Sequence, residues 1–111
     1  MVDVGVMVDE LLTKDTIFSS LQDSKRQLLS FGIRTIGLFG SFVRAEAKPE
    51  SDIDILVDFE AEKKNYDNFI EACFFLEDLF HRKVELVTTE SLSPYMKQHI
   101  LKEVEYVPLT H

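Results

Sequence analysis

The residues of this chain best suited to chemistry lie between Gly40 and Asp54. An apolar run, Gly37-Leu38-Phe39, ends in Gly40-Ser41; ten residues follow, and Asp52-Ile53-Asp54 opens a second apolar run. Gly40 lacks a side chain, so the backbone there can turn tightly and come close to a ligand. Ser41 falls where a helix would begin, and its hydroxyl with the unpaired N–H groups of a helix start can hold a phosphate. Asp52 and Asp54 stand two apart on a predicted strand, which sends both carboxylates to one face and Ile53, Ile55 and Val57 to the other. Side by side, two carboxylates repel unless a cation lies between them, and hard oxygen ligands with room for phosphate oxygens suit Mg²⁺. That combination does phosphoryl or nucleotidyl transfer. The plainer reading is an acidic strand start beside an ordinary turn.

Elements of a particular order must hold these residues. Apolar spacing predicts helix from about Val6 to Phe31, broken near Thr13-Lys14-Asp15, with Asp15 or Thr16 as cap of the second piece and Gly32 as its end. Ile33 to Phe39 reads as a first strand, and Gly40-Ser41 turns it into a short helix through about Glu46. Asp52 to Phe59 reads as a second strand, Tyr66 to Phe80 as a helix, and Lys83 to Thr88 as a third strand. A last helix is predicted from Ser93-Pro94 to about Val104, with Met96, Ile100 and Val104 inward.

Strand, helix, strand from Asp52 to Thr88 predicts a parallel crossover. The first two strands must run antiparallel, or Gly40-Ser41 would not face the aspartates, so the sheet is mixed. Parallel pairing then sets Glu85 beside Asp52 and Asp54. A carboxylate amid the apolar residues Val84, Leu86 and Val87 needs a partner, and a metal is one; a solvated glutamate on an edge strand is the alternative. Arg44, about one helical turn past Ser41, points at the same phosphates or at Asp52, or else pairs with Glu46 or Glu50. Asp58 shares the aspartate face but reads as a solvated strand end.

With 111 residues, the chain is expected to form a single domain with one core. Twenty acidic against twelve basic residues give a net charge of −8, which argues against a nucleic-acid scaffold and suits a basic protein partner. One cysteine, Cys73, excludes an internal disulfide, fits a reducing cytoplasm and reads as core. No apolar run approaches the roughly 18 residues of a membrane span, and the N-terminus lacks the layout of a signal peptide. His81, His99 and His111 form no ligand cluster in sequence, which argues against zinc. Nine phenylalanines and three tyrosines, with Phe74 and Phe75 adjacent, leave either some aromatics exposed as a partner surface or all of them partly buried under the terminal helices.

The spacing Gly-Ser-x10-Asp-x-Asp, in the wording Phe39-Gly40-Ser41-Phe42-Val43-Arg44 through Ser51-Asp52-Ile53-Asp54-Ile55-Leu56-Val57, resembles the signature of the polymerase β-like nucleotidyltransferases. It is most similar to their minimal members, the MNT domains, over about Ile33 to Val107. The resemblance implies an α/β (α+β) nucleotidyltransferase fold: a single domain whose core, 33–107, is a small mixed sheet of three or four strands flanked by helices, after a helical segment at 1–31. By that resemblance, Asp52, Asp54 and Glu85 are catalytic and hold Mg²⁺, two ions in the family's mechanism, while Gly40 and Ser41, with Arg44, hold the phosphates of ATP. The family's third acid is usually Asp, so Glu85 is a departure by one methylene. Gly commonly follows the arginine in the family, and Ala45 matters little if the backbone there is helical. MNT proteins act as antitoxins of HEPN-domain ribonucleases, some by adenylylating a tyrosine of the toxin. The implied protein is thus an adenylyltransferase antitoxin in a hetero-oligomer with a HEPN partner, a homodimer being the other arrangement. A binding-only antitoxin is the second reading, and an antibiotic-modifying adenylyltransferase, which lacks a substrate-binding domain here, the third.

Overall fold

A computed structural model describes residues 12–109. Helix α1 (Lys14–Asp23) and helix α2 (Lys25–Ser30) lead into strand β1 (Ile33–Phe39). A three-residue 3-10 turn, Gly40–Phe42, follows, and then strand β2 (Ile53–Phe59), helix α3 (Tyr66–Phe80), strand β3 (Val84–Thr88), helix α4 (Pro94–Glu103) and strand β4 (Glu105–Val107). The predicted helix from Val6 lies partly outside the described residues. Within them its cap is Thr13 rather than Asp15 or Thr16: the Thr13 side chain accepts from the Thr16 N–H, and the Thr16 hydroxyl oxygen accepts from the Thr13 N–H. Thr16 is the reciprocal member of a capping box, a role in which Glu or Gln is more usual. Ser24, buried and with its N–H given to Ser20, separates the two helices. Gly32 follows α2 at φ +87°, as the end of that helix requires.

The sheet order is β3-β2-β1-β4. β1 runs antiparallel to β2 and β4, and β2 runs parallel to β3, the mixed arrangement that the motif demands. β4 was not legible as a strand; three residues are too few to display an alternation. Alternation on β2 does the essential work. Ile53, Ile55, Val57 and Phe59 join Ile36, Leu38, Val84 and Leu86 in a core closed by Ile17, Leu21 and Leu28 from α1 and α2 and by Ala72, Leu76 and Phe80 from α3. Burying such side chains is worth about 1.5–3 kcal/mol each, and this layer holds the sheet flat against its helices. The other face of β2 carries Asp54, Leu56 and Asp58, and α4 lies over it. Leu56 and Ile100 are buried outside the main core, as a second layer requires.

Cys73 packs at the margin of the core, where burial first and Glu77 second push its thiol up. The aromatics divide: Phe75 meets Phe31 with ring centroids 5.6 Å apart, whereas Tyr66, Phe74, Tyr95 and Tyr106 are exposed. Met96, expected inward, is also largely exposed, and Ile100 alone anchors α4. Among the described residues no helix is long and apolar enough to cross a membrane.

Candidate active site

Strand pairing brings the motif together. Phe39 pairs with Asp54 across β1 and β2, and Asp54 pairs with Glu85 across β2 and β3, so the Gly40 turn, Asp54 and Glu85 lie side by side at one end of the sheet. Gly40 is in the left-handed region at φ +82° and sits so close to β2 that a Cβ there would lie 2.1 Å from Asp54 Oδ2. No other residue fits that position: a side chain would have to expel the carboxylate. This is the reason for Gly at the head of the motif.

A cleft of about 480 Å³ opens here. Asp54, Glu85 and Val87 form its sheet side, Phe39, Gly40 and Arg44 its turn side, and Met96, His99, Ile100 and Glu103 of α4 its roof. Of the candidate residues, Gly40, Arg44, Asp54 and Glu85 line the cleft; Asp52 and Ser41 stand at its edge, half-buried and outside the lining. Ser51, just before Asp52, is pinned at its carbonyl by Arg82 Nη1 at 3.2 Å, and the Arg82 guanidinium stacks 5.7 Å from the centroid of Phe42. Arg82 thereby ties the loop before Asp52 to the turn after Gly40. Sequence reasoning did not single it out.

The electrostatics are those of crowded carboxylates with one arginine to oppose them. Asp54 is pushed up to about 6, by burial first, then by the charges of Glu85 and Asp52; Arg44 opposes and Glu103 adds to the rise. A hard divalent cation removes that repulsion, and the donor chemistry, carboxylate oxygens only, fits Mg²⁺. Among the described residues no three His, Cys, Asp or Glu side chains converge as a ready-made metal cage. Two carboxylates on hand suit an ion that keeps its waters and takes phosphate oxygens from a nucleotide.

The phosphate side differs from the expectation in two respects. The helix expected to run through Glu46 is absent: the 3-10 turn ends at Phe42, Glu46 N–H bonds back to the Ser41 carbonyl at 2.8 Å, and Ala45 sits at φ +60°. Ala45 is therefore not neutral, since only glycine takes that conformation without cost, which explains a glycine after the arginine. Any phosphate site here rests on the turn and its backbone, not on a helix dipole. Arg44, for its part, is held by two carboxylates. Its Nε donates to Glu46 at 3.0 Å, and its Nη1 donates to Glu103 Oε1 at 3.0 Å; these bonds raise its pKa, Glu46 most. Glu103 also accepts from the Gly40 N–H at 2.8 Å.

Asp58 is not the solvated strand end expected of it. Thr35 Oγ1 and Thr89 Oγ1 donate to its Oδ2 at 3.1 and 2.9 Å, on the far side of Leu56 from the cleft. Glu103 and His99 were missed, because they reach the cleft from 59 or more residues beyond Gly40. The one available signal was a glutamate in the last turn of a helix, the end that disfavours negative charge.

A turn with no room for a side chain, set against paired carboxylates on a mixed sheet, defines a nucleotidyltransferase-type site. The pattern of the nucleotidyltransferase domain family matches residues 19–107, and the chain belongs to that family; it is a nucleotidyltransferase. The relatives narrow this to its minimal members. The chain is 47% identical over 98 residues to the protein adenylyltransferase MntA of Thermococcus cleftensis, covering 87% of this chain and 98% of that protein. Among solved structures, a minimal nucleotidyltransferase superposes with a TM-score of 0.66 at 28% identity, over 79% of this chain and 93% of the other. A toxin–antitoxin complex with AMP-PNP superposes with a TM-score of 0.64 at 25% identity, over 81% and 74%.

Proposed function

We propose that this chain is an antitoxin that transfers AMP from ATP to a hydroxyl, that of a tyrosine, on a HEPN ribonuclease toxin. The observation that carries the reading is Gly40 packed against the Asp54 carboxylate with Glu85 beside it, at a cleft of about 480 Å³ that all three line. The likeness to a protein adenylyltransferase supports the choice of reaction, and the likeness to a toxin–antitoxin complex supports the partner. A net charge of −8 complements a basic, RNA-handling surface.

In this mechanism the acceptor oxygen attacks the α-phosphorus, the bond from that phosphorus to the bridging oxygen of the β-phosphate breaks, and pyrophosphate leaves. Asp52, Asp54 and Glu85 would hold Mg²⁺, two ions as in the family at large, and the metal would supply neutralisation of charge on the phosphates and at the acceptor oxygen. Gly40 and Ser41 hold the leaving phosphates through backbone and hydroxyl. Arg44, once free of its carboxylates, adds a cation there. Glu85 takes the acceptor proton.

A second reading, neutralisation by binding alone, draws on the absence of a ready-made three-carboxylate cage among the described residues. One experiment separates the two. The partner toxin is incubated with this protein, ATP and Mg²⁺, and its intact mass is measured, with Asp54→Asn as control. Adenylyl units added by the wild type and not by the variant establish transfer, and peptide mapping identifies the acceptor. A toxin that is bound and inhibited but unmodified leaves binding as the function.

A further inference from the structure

Glu103 stands where a substrate anion belongs. Its carboxylate accepts the Gly40 N–H at 2.8 Å through Oε2 and Arg44 Nη1 at 3.0 and 3.2 Å through its two oxygens. These are the backbone donor and the cation on the phosphate side of the cleft. We infer that Glu103 is a built-in stand-in for phosphate, and that a nucleotide enters by exchanging its own phosphate for this carboxylate on the same two donors. The inference rests on the nucleotide site proposed above and adds a residue that governs its occupancy.

Three further observations support it. Glu103 is the last residue of α4, where the helix dipole presents its negative end, so a carboxylate is unfavourable there unless donors compensate it. Gly40 and Arg44 supply that compensation. The carboxylate is also held by the fold and is not a roaming surface chain. The Ser93 side chain caps α4, Ile100 is buried beneath it, and Glu105, two residues on, pairs with Leu38 of β1. Finally, among the described residues the cleft collects Asp54, Glu85 and Glu103 around one arginine, Arg44. A polyphosphate brings further negative charge to that set, and its oxygens must compete with the Glu103 carboxylate for Arg44 and the Gly40 N–H. An ordinary ion pair that merely fastens α4 to the turn is the rival explanation.

The test compares wild type, Glu103→Gln and Glu103→Ala. Glutamine keeps the size and a neutral acceptor, so the fold is preserved if alanine disturbs it. Affinity for ATP with Mg²⁺ is measured by calorimetry without any acceptor, and the Gly40 amide is followed by NMR. Exchange of anions predicts that Glu103→Gln binds on the order of tenfold tighter, because a charge-assisted competitor has become a neutral one. It also predicts that the Gly40 amide resonance moves in both variants and moves again when nucleotide binds the wild type. Equal or weaker nucleotide binding by Glu103→Gln, with binding by the wild type intact, overturns the inference and leaves the proposed function standing. A Gly40 amide that is the same in wild type and variants overturns it independently of any ligand. Binding by neither form overturns the nucleotide site and the inference together.

Discussion

Asp54 and Asp58 lie on one face of one strand, four residues apart, and meet opposite circumstances. At the loop end of β2, two threonine hydroxyls, one from β1 and one from beyond β3, satisfy Asp58. At the cleft end, Asp54 faces Glu85 and Asp52 and is raised to about 6, with only Arg44 opposing. The same side chain is a structural part in one place and an unsatisfied one in the other. A fold selected for stability alone would treat both ends as it treats Asp58. In the proposed function the repulsion at Asp54 is a preorganised demand for a cation, and its cost is carried by the core on the opposite face of the sheet.

The largest expected effect separates the two on activity. Asp54→Asn should lower the rate of adenylyl transfer by on the order of 10³-fold, since in the proposed mechanism it removes a metal ligand and forfeits several kcal/mol of charge stabilisation at about 1.4 kcal/mol per tenfold. Asp58→Asn should leave the rate within a few-fold. A radiolabelled-transfer assay on the partner measures both, and comparable losses in the two variants would erase the distinction.

Stability should sort them the other way. Asp58→Ala leaves Thr35 and Thr89 without their shared acceptor and should cost about 1–2 kcal/mol in denaturant unfolding. Tyr106, whose phenol is raised by burial and then by Asp58, should titrate lower in the same variant. Asp54→Asn should instead stabilise the metal-free protein at neutral pH. Here the folded pKa, about 6, lies above the ordinary 3.8, so the native state binds more protons than the unfolded one between those values and stability falls as pH rises through that window. The gain from Asp54→Asn is therefore absent below about pH 4 and full above about pH 6. Half-exposure screens the effect to about 1 kcal/mol. Saturating Mg²⁺ should remove the gain by satisfying the wild-type carboxylates, and urea midpoints at pH 4 and pH 7 with and without the ion check all of this.

What could be read from the sequence follows the reach of each interaction. Tyr66 to Phe80 was legible as a helix to the residue, and Ser93 as its successor's cap, because both signals lie within one or two turns. Pairing of the Gly40 turn with the second strand was legible because the motif makes sense only when its halves meet. Glu103 was not, because its place depends on β4, a three-residue strand whose pairing with β1 brings the end of α4 to Gly40. The helix expected through Glu46 failed for a related reason: the backbone after Arg44 bends back to the Ser41 carbonyl, a tertiary demand that local propensity does not record.

That bend gives the smallest predicted effect and extends the comparison from charge to backbone. Two non-glycine residues among those described have positive φ, His81 at +52° and Ala45 at +60°. His81 closes α3 in the left-handed cap that ends many helices. Ala45 ends no helix; it lies beside the arginine at the cleft, so the strain, like the unsatisfied charge, collects at the functional end. Ala45→Gly relieves about 1–2 kcal/mol in the folded chain and gives back about 0.5–1 kcal/mol through the freer unfolded chain, for a net gain of at most about 1.5 kcal/mol. Thermal unfolding of the variant should show that small rise with transfer activity unchanged. A fall in activity would mean instead that the Ala45 side chain, exposed beside Arg44, restricts the loop so that the guanidinium reaches the phosphate.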